Sequence, residues 1–128
     1  MILDDAYTSW YFAEIREIPP LNLDEEIRCV RHIRAQDEQA ESAGQRLVEA
    51  HLPLVVSIAE RYRSDKIQIV DLIMEGNKAL LDSLRTFGDS SEDSFSAHAT
   101  SQIECAIAQA MKFPESTGRS GYYPRYDA

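Results

Sequence analysis

RLVEAHLPLVVSIAERYRSDKIQIVDLIMEGNKALL, residues Arg46 to Leu81, decides the fold. It reads as two apolar-faced helices joined by a short charged link. In the first, about Gln45 to Tyr62, Leu47, Val48, Leu54, Val55, Ile58, Ala59 and Tyr62 recur at three-to-four spacing, the signature of a helix buried along one broad side. Pro53 lies inside it and lacks a backbone donor, which predicts a kink or break near His51. Ser64 to Gln68 form the link. The second helix spans about Ile69 to Phe87. At 100° per residue, Ile69, Leu72, Ile73, Gly76, Leu80, Leu84 and Phe87 share one face. Asp71, Met74, Glu75, Lys78, Asp82 and Arg85 share the other, so the run Asp71 to Asn77 is expected to be exposed. A thioether among charges suits a protein-docking surface as well as a solvated face. Gly76, on the apolar side, implies a close helix–helix approach.

Outward from this stretch the pattern stays helical. Tyr7 to Ile18 is aromatic-rich and predicts a short helix closed by Pro19-Pro20. Asn22-Leu23-Asp24-Glu25 reads as an N-cap with an acid at the third helical position. Ile27, Val30 and Ile33 give that helix an apolar side, and it breaks near Gln36-Asp37 or Gly44 or runs on through Ala40. Gly88 to Ser94 is polar and reads as a loop. A last helix covers about Phe95 to Lys112, with Phe95, Ala99, Ile103, Ala106 and Ala110 along one side, and Pro114 ends it. The expectation is an all-α fold, a compact bundle of four to five helices over residues 1–114, with a loose tail at 115–128.

Composition narrows the function. The chain has 128 residues, 44% hydrophobic and 27% charged, enough for one real core. No apolar run approaches the roughly 20 residues that span a bilayer. MILDDAYTSW is acidic and lacks the form of a secretory signal. Cys29 and Cys105 have no motif spacing, so a cytoplasmic, reduced protein is the default, with no membrane contact. His32, His51 and His98 are far apart, which argues against a metal site, and no nucleophile elbow, phosphate loop or zinc motif occurs. The expectation is a non-enzyme without cofactor. The net charge of −9 disfavours non-specific binding to nucleic acid. The distribution sharpens this: from Thr86 to Met111 there is no Lys or Arg, but there are Asp89, Glu92, Asp93 and Glu104. Arg119, Tyr122, Tyr123, Arg125 and Tyr126 form a small aromatic–basic cluster in the tail, more in keeping with an interaction tail than with a strand-binding site.

The wording of several blocks adds a family. LVEAHLPLVVSIAERYR and DLIMEGNKALL resemble the two core-binding helices of housekeeping-class (sigma-70) RNA polymerase sigma factors. WYFAEIREIPPLNLDEEIRCVRHI resembles the short block that precedes them, and FSAHATSQIECAIAQAM fits the frame of the block that follows. The resemblance covers about Trp10 to Lys112, divided as about 10–40 for the preceding block, 45–87 for the core-binding helices and 95–112 for a degenerate promoter-reading helix.

The resemblance implies docking of the Ile69–Phe87 helix on a coiled coil in the clamp of the polymerase beta-prime subunit. By position, Asp71, Glu75 and Asn77 match family docking residues, Met74 replaces the usual glutamine, and Lys78 and Asp82 lie on the same side. Leu72, Ile73, Leu80 and Leu84 match core positions. In the last helix the family melts promoter DNA with aromatic, basic and amide side chains. Here Ser101 and Gln102 stand at the tandem-tryptophan position, His98 at the tyrosine and Glu104 at the arginine. Cys105, Ala108 and Gln109 replace the usual glutamine, threonine and arginine, and Phe95 with Phe87 are the remaining aromatics. The implied function is a sigma-like protein that binds polymerase core and takes part in or regulates initiation, with weak or absent promoter melting of its own. A second protein would then supply DNA contacts. The alternatives are a divergent sigma factor that still binds promoter DNA, and a helical adaptor reusing the fold for another partner.

Overall fold

A computed structural model describes residues 2–87 and 94–113, with side chains from Ser9 onward. Among the described residues there are six helices: α1 (Ile2–Arg16), α2 (Leu23–Ala35), α3 (Ala40–Ala50), α4 (Leu52–Arg61), α5 (Ile69–Phe87) and α6 (Phe95–Lys112). α3 and α4 abut at His51, so the bundle has five rods, one of them bent. The expected all-α architecture holds. Most of the loop expected over Gly88–Ser94, and the tail from Glu115, lie outside the described residues.

Local chemistry sets the ends. Asn22 Oδ1 accepts from the Glu25 backbone N–H at 2.8 Å, and Glu25 Oε1 accepts from the Asn22 N–H at 3.1 Å, a complete capping box for α2. α2 stops at Gln36, which takes the left-handed conformation with φ 52° and donates its N–H to Ile33 O. Asp37 then builds the turn into α3: Oδ1 accepts from the Gln39 N–H at 2.9 Å, and Oδ2 meets His32 Nδ1 at 2.7 Å. That bond to His32 holds the Asp37 carboxyl below its ordinary pKa. Gly44 lies inside α3 and does not break it.

The break predicted by Pro53 falls at His51, and His51 exploits it. Its Nδ1 lies 2.7 Å from Leu47 O and must donate there, and Nε2 shares a 2.6 Å hydrogen bond with the Ser96 hydroxyl. The bend is thereby tied to the start of α6, where Ser94 Oγ caps the Ala97 N–H.

α5 is the central rod, packed by α1, α3, α4 and α6. The core gathers Tyr11 and Ile15 from α1, Leu47 from α3, Val55, Ile58 and Ala59 from α4, Leu72, Ile73, Leu80 and Phe87 from α5, and Phe95, Ala99, Ile103 and Ile107 from α6. On α6 the buried stripe runs through Ile107, and Ala106, expected on it, is half-buried. Gly76 admits the closest approach: a methyl there would sit 2.6 Å from Val55 Cγ1 and 3.2 Å from Ile107 Cδ1. α2 has no buried residue and pairs mainly with α3.

Candidate functional site

Two surfaces matter, the outer side of α5 and the outer side of α6. On α5, Glu75 and Lys78 are half-buried and joined by an ion pair of 3.2 Å, and the exposed Asp82 pairs with Arg85 at 3.3 Å. The other three expected docking residues are not at the surface. Met74 is 0% exposed, Asn77 4% and Asp71 5%, which corrects the expectation of an exposed run.

The reason is geometric. Around the helix axis, Val70, Met74, Asn77 and Leu81 lie on one stripe, roughly a third of a turn from the core-facing stripe of Leu72, Gly76 and Leu80. The stripe is flanking, neither inward nor outward, and α1 reaches it at Asn77. Asn77 Nδ2 donates to the Tyr11 hydroxyl at 3.2 Å, and Tyr11 is itself fully buried. Val70 and Met74 are buried but stand apart from the contiguous core cluster. Asn77 Oδ1 is buried with no hydrogen-bond partner among the described residues, an arrangement that costs about 1–3 kcal/mol. Leu81, a turn beyond Asn77, is 47% exposed. Sequence reasoning missed Leu81, although an apolar residue outside the main stripe at that spacing was the available signal.

On α6 the register splits the candidates. Ser101, Gln102, Cys105 and Gln109 face outward and are exposed, with Glu104 and Ala108 half-exposed beside them. Phe95 and His98 do not join that face. Phe95 starts the buried stripe continued by Ala99 and Ile103; it is 0% exposed and meets His51 and Phe87 edge-on, with centroids 5.1 and 5.5 Å apart. His98 is buried against the end of α5. The Thr86 hydroxyl donates to backbone carbonyls, so it accepts from His98 Nε2–H at 2.8 Å. Phe87 is also fully buried, and the Arg34 guanidinium of α2 lies 4.6 Å over its ring. Neither remaining aromatic can therefore stack on a base from this arrangement. Charge is as sparse: the Glu104 carboxylate holds Arg61 of α4 at 3.0 Å.

Elsewhere, Cys29 and Cys105 are free, and burial pushes the Cys29 thiol up, making it a weaker nucleophile. Among the described residues no three His, Cys, Asp or Glu gather to hold a metal, and no helix is long and apolar enough to cross a membrane.

Comparison with known proteins fixes the relationship. Residues 47–112, from α3 through α6, match Sigma-70 region 2. The chain belongs to the sigma-70 region 2 family. Among its relatives, the RNA polymerase sigma factor SigA of Lactococcus lactis subsp. cremoris is 44% identical over 101 residues, covering 79% of this chain and 28% of that protein. SigA of a Bacillus species is 40% identical and SigA of Listeria monocytogenes 41%, each over 79% of this chain and 26% of the relative. The chain thus spans about a quarter of the length of the curated relatives it matches. Within the region 2 frame, α5 is the long central helix and α6 the last.

Proposed function

We propose that this chain acts in transcription initiation by docking on RNA polymerase core through the flank of α5, and that it melts promoter DNA weakly or not at all by itself. Its site is the clamp coiled coil of beta-prime, approached by Glu75, Lys78, Leu81 and Asp82 at the surface and by Asp71, Met74 and Asn77 behind them. One observation carries the second half of this reading: the outward face of α6 is Ser101, Gln102, Cys105 and Gln109, with its aromatics turned into the core. Binding to a single strand draws on stacking worth about 1–3 kcal/mol per base and on cations along the backbone. This face offers neither.

Calorimetric titration with an isolated clamp coiled-coil fragment tests the docking. Binding in the micromolar range is expected, weakened at least tenfold by Glu75→Lys combined with Asp82→Lys. No binding at tens of micromolar, or binding indifferent to the charge reversal, refutes it. Fluorescence anisotropy with a single-stranded promoter oligonucleotide tests the rest. Tight binding that survives physiological salt would overturn the reading of α6.

A further inference from the structure

Part of the surface assigned to docking is already occupied, and by the same chain. α1 meets the stripe at Asn77, whose amide donates to the buried Tyr11 hydroxyl. α1 meets the bundle along one face only. Of the α1 side chains described, Tyr11 and Ile15 are fully buried and Phe12 half-buried, while Ser9, Trp10, Ala13, Glu14 and Arg16 are exposed. An open groove of about 210 Å³ runs between α1 and α4, lined by Phe12, Ile15, Arg16, Pro53, Val56 and Glu60. Asn77 Oδ1 is buried without a hydrogen-bond partner among the described residues. After α1 comes Pro19-Pro20, which cannot carry a helix onward and leaves α1 joined to α2 by a short extended link. Beyond Tyr11 the same stripe emerges at the exposed Leu81.

From these we infer that α1 is a displaceable strap that competes with the polymerase for the flank of α5. This rests on the docking reading above and adds its regulation. The incoming partner is a helix with apolar side chains for Leu81, Met74 and Val70, a donor for Asn77 Oδ1, and cations opposite Asp71 and Glu75. It gains a first hold on Leu81, Glu75 and Asp82, then takes the place of Tyr11 as α1 swings out about the prolines. Docking is weakened by the fraction of molecules in which α1 is closed, because only open molecules bind fully.

The test uses the full chain and the clamp coiled-coil fragment. Tyr11→Ala loosens α1 and is expected to tighten binding roughly tenfold. Ile33→Ala, an apolar truncation on α2 far from this flank, controls for general destabilisation and should leave affinity unchanged. Hydrogen exchange on the unaltered chain supplies a second readout that does not depend on a variant folding. On adding the fragment, α1 amides should lose protection while α5 and α6 keep or gain it. Trp10, the single tryptophan of the chain, should shift its emission to the red if the fragment carries none. Binding that leaves α1 as protected as before, or a folded Tyr11→Ala chain that binds no tighter than the unaltered one, overturns the strap while leaving the docking reading intact. If no form of the chain binds the fragment, both fall together.

Discussion

Replacing Gly76 by alanine sets two effects of opposite sign against each other. In a helix interior alanine is preferred to glycine by about 1 kcal/mol, so propensity alone predicts stabilisation. The new methyl, however, would lie 2.6 Å from Val55 Cγ1, 3.2 Å from Ile107 Cδ1 and 3.5 Å from Ile103 Cγ2. All three neighbours are essentially inaccessible to solvent, and Val55 is β-branched in a helix, where one χ1 well dominates. It cannot swing away, so α4 or α6 must shift. Overpacking of this kind costs about 1–3 kcal/mol or somewhat more, and the backbone movement places this case at the upper end. The net expectation is a loss of about 2 kcal/mol, or roughly 8 °C in Tm. Gly44→Ala is the internal comparison. Its methyl would meet Leu84 Cδ2 at 2.8 Å, but that is the tip of a half-buried, flexible side chain that can rotate aside. Gly44→Ala should therefore be neutral within about 1 kcal/mol. Urea and thermal unfolding followed by far-ultraviolet circular dichroism measure both. A Gly76→Ala protein as stable as the parent, or more so, would refute the close-approach argument.

Asn22→Ala removes the side-chain half of the α2 capping box, the Oδ1 that accepts from the Glu25 N–H, and should cost about 1 kcal/mol, read by denaturant melts and by faster amide exchange in the first turn of α2. Phe95→Ala empties a fully buried ring site and should cost about 3–5 kcal/mol in the absence of any nucleic acid; a small effect on unfolding would contradict a core role. The Asp37 carboxyl has its folded pKa lowered by His32, so its contribution is present above the ordinary value of 3.8 and fades as pH falls through the lowered one. Stability of Asp37→Asn should accordingly fall less steeply between pH 4 and the acid limit, in melts compared across that range; parallel curves would contradict the assignment.

Helical periodicity located the rods well because each apolar stripe had one large partner. Ile69, Leu72, Gly76, Leu80 and Phe87 were readable as the inner side of α5, since their angle about the axis is all that burial against α4 and α6 requires. The bend at His51 was readable because a missing proline donor has a local consequence. Asn77 is buried because a second partner, Tyr11 of α1, meets it from the other end of the chain. A wheel drawn for α5 alone cannot hold that information. Phe95 and His98 stand at family DNA-contact positions, although periodicity puts Phe95 on the apolar side. Their register with Ala99 and Ile103 was in the sequence and pointed inward. The ion pair of Arg61 with Glu104, joining α4 to α6, had no local signal.

The register of α6 also separates two kinds of selection. Its inward half, from Phe95 through Ile103 to Ala110, is held by the core, and almost any change there is felt as lost stability. Its outward half touches little except through Glu104 and Arg61, so substitutions at Ser101, Gln102, Cys105 and Gln109 fall in the class that usually moves stability by less than about 0.5 kcal/mol. Recognition chemistry on that half can drift away, or be rebuilt, while the scaffold registers nothing. The helix is in this sense a blank tablet on a fixed mount. Aromatic and basic side chains written back at those outward positions should find their backbone already in place.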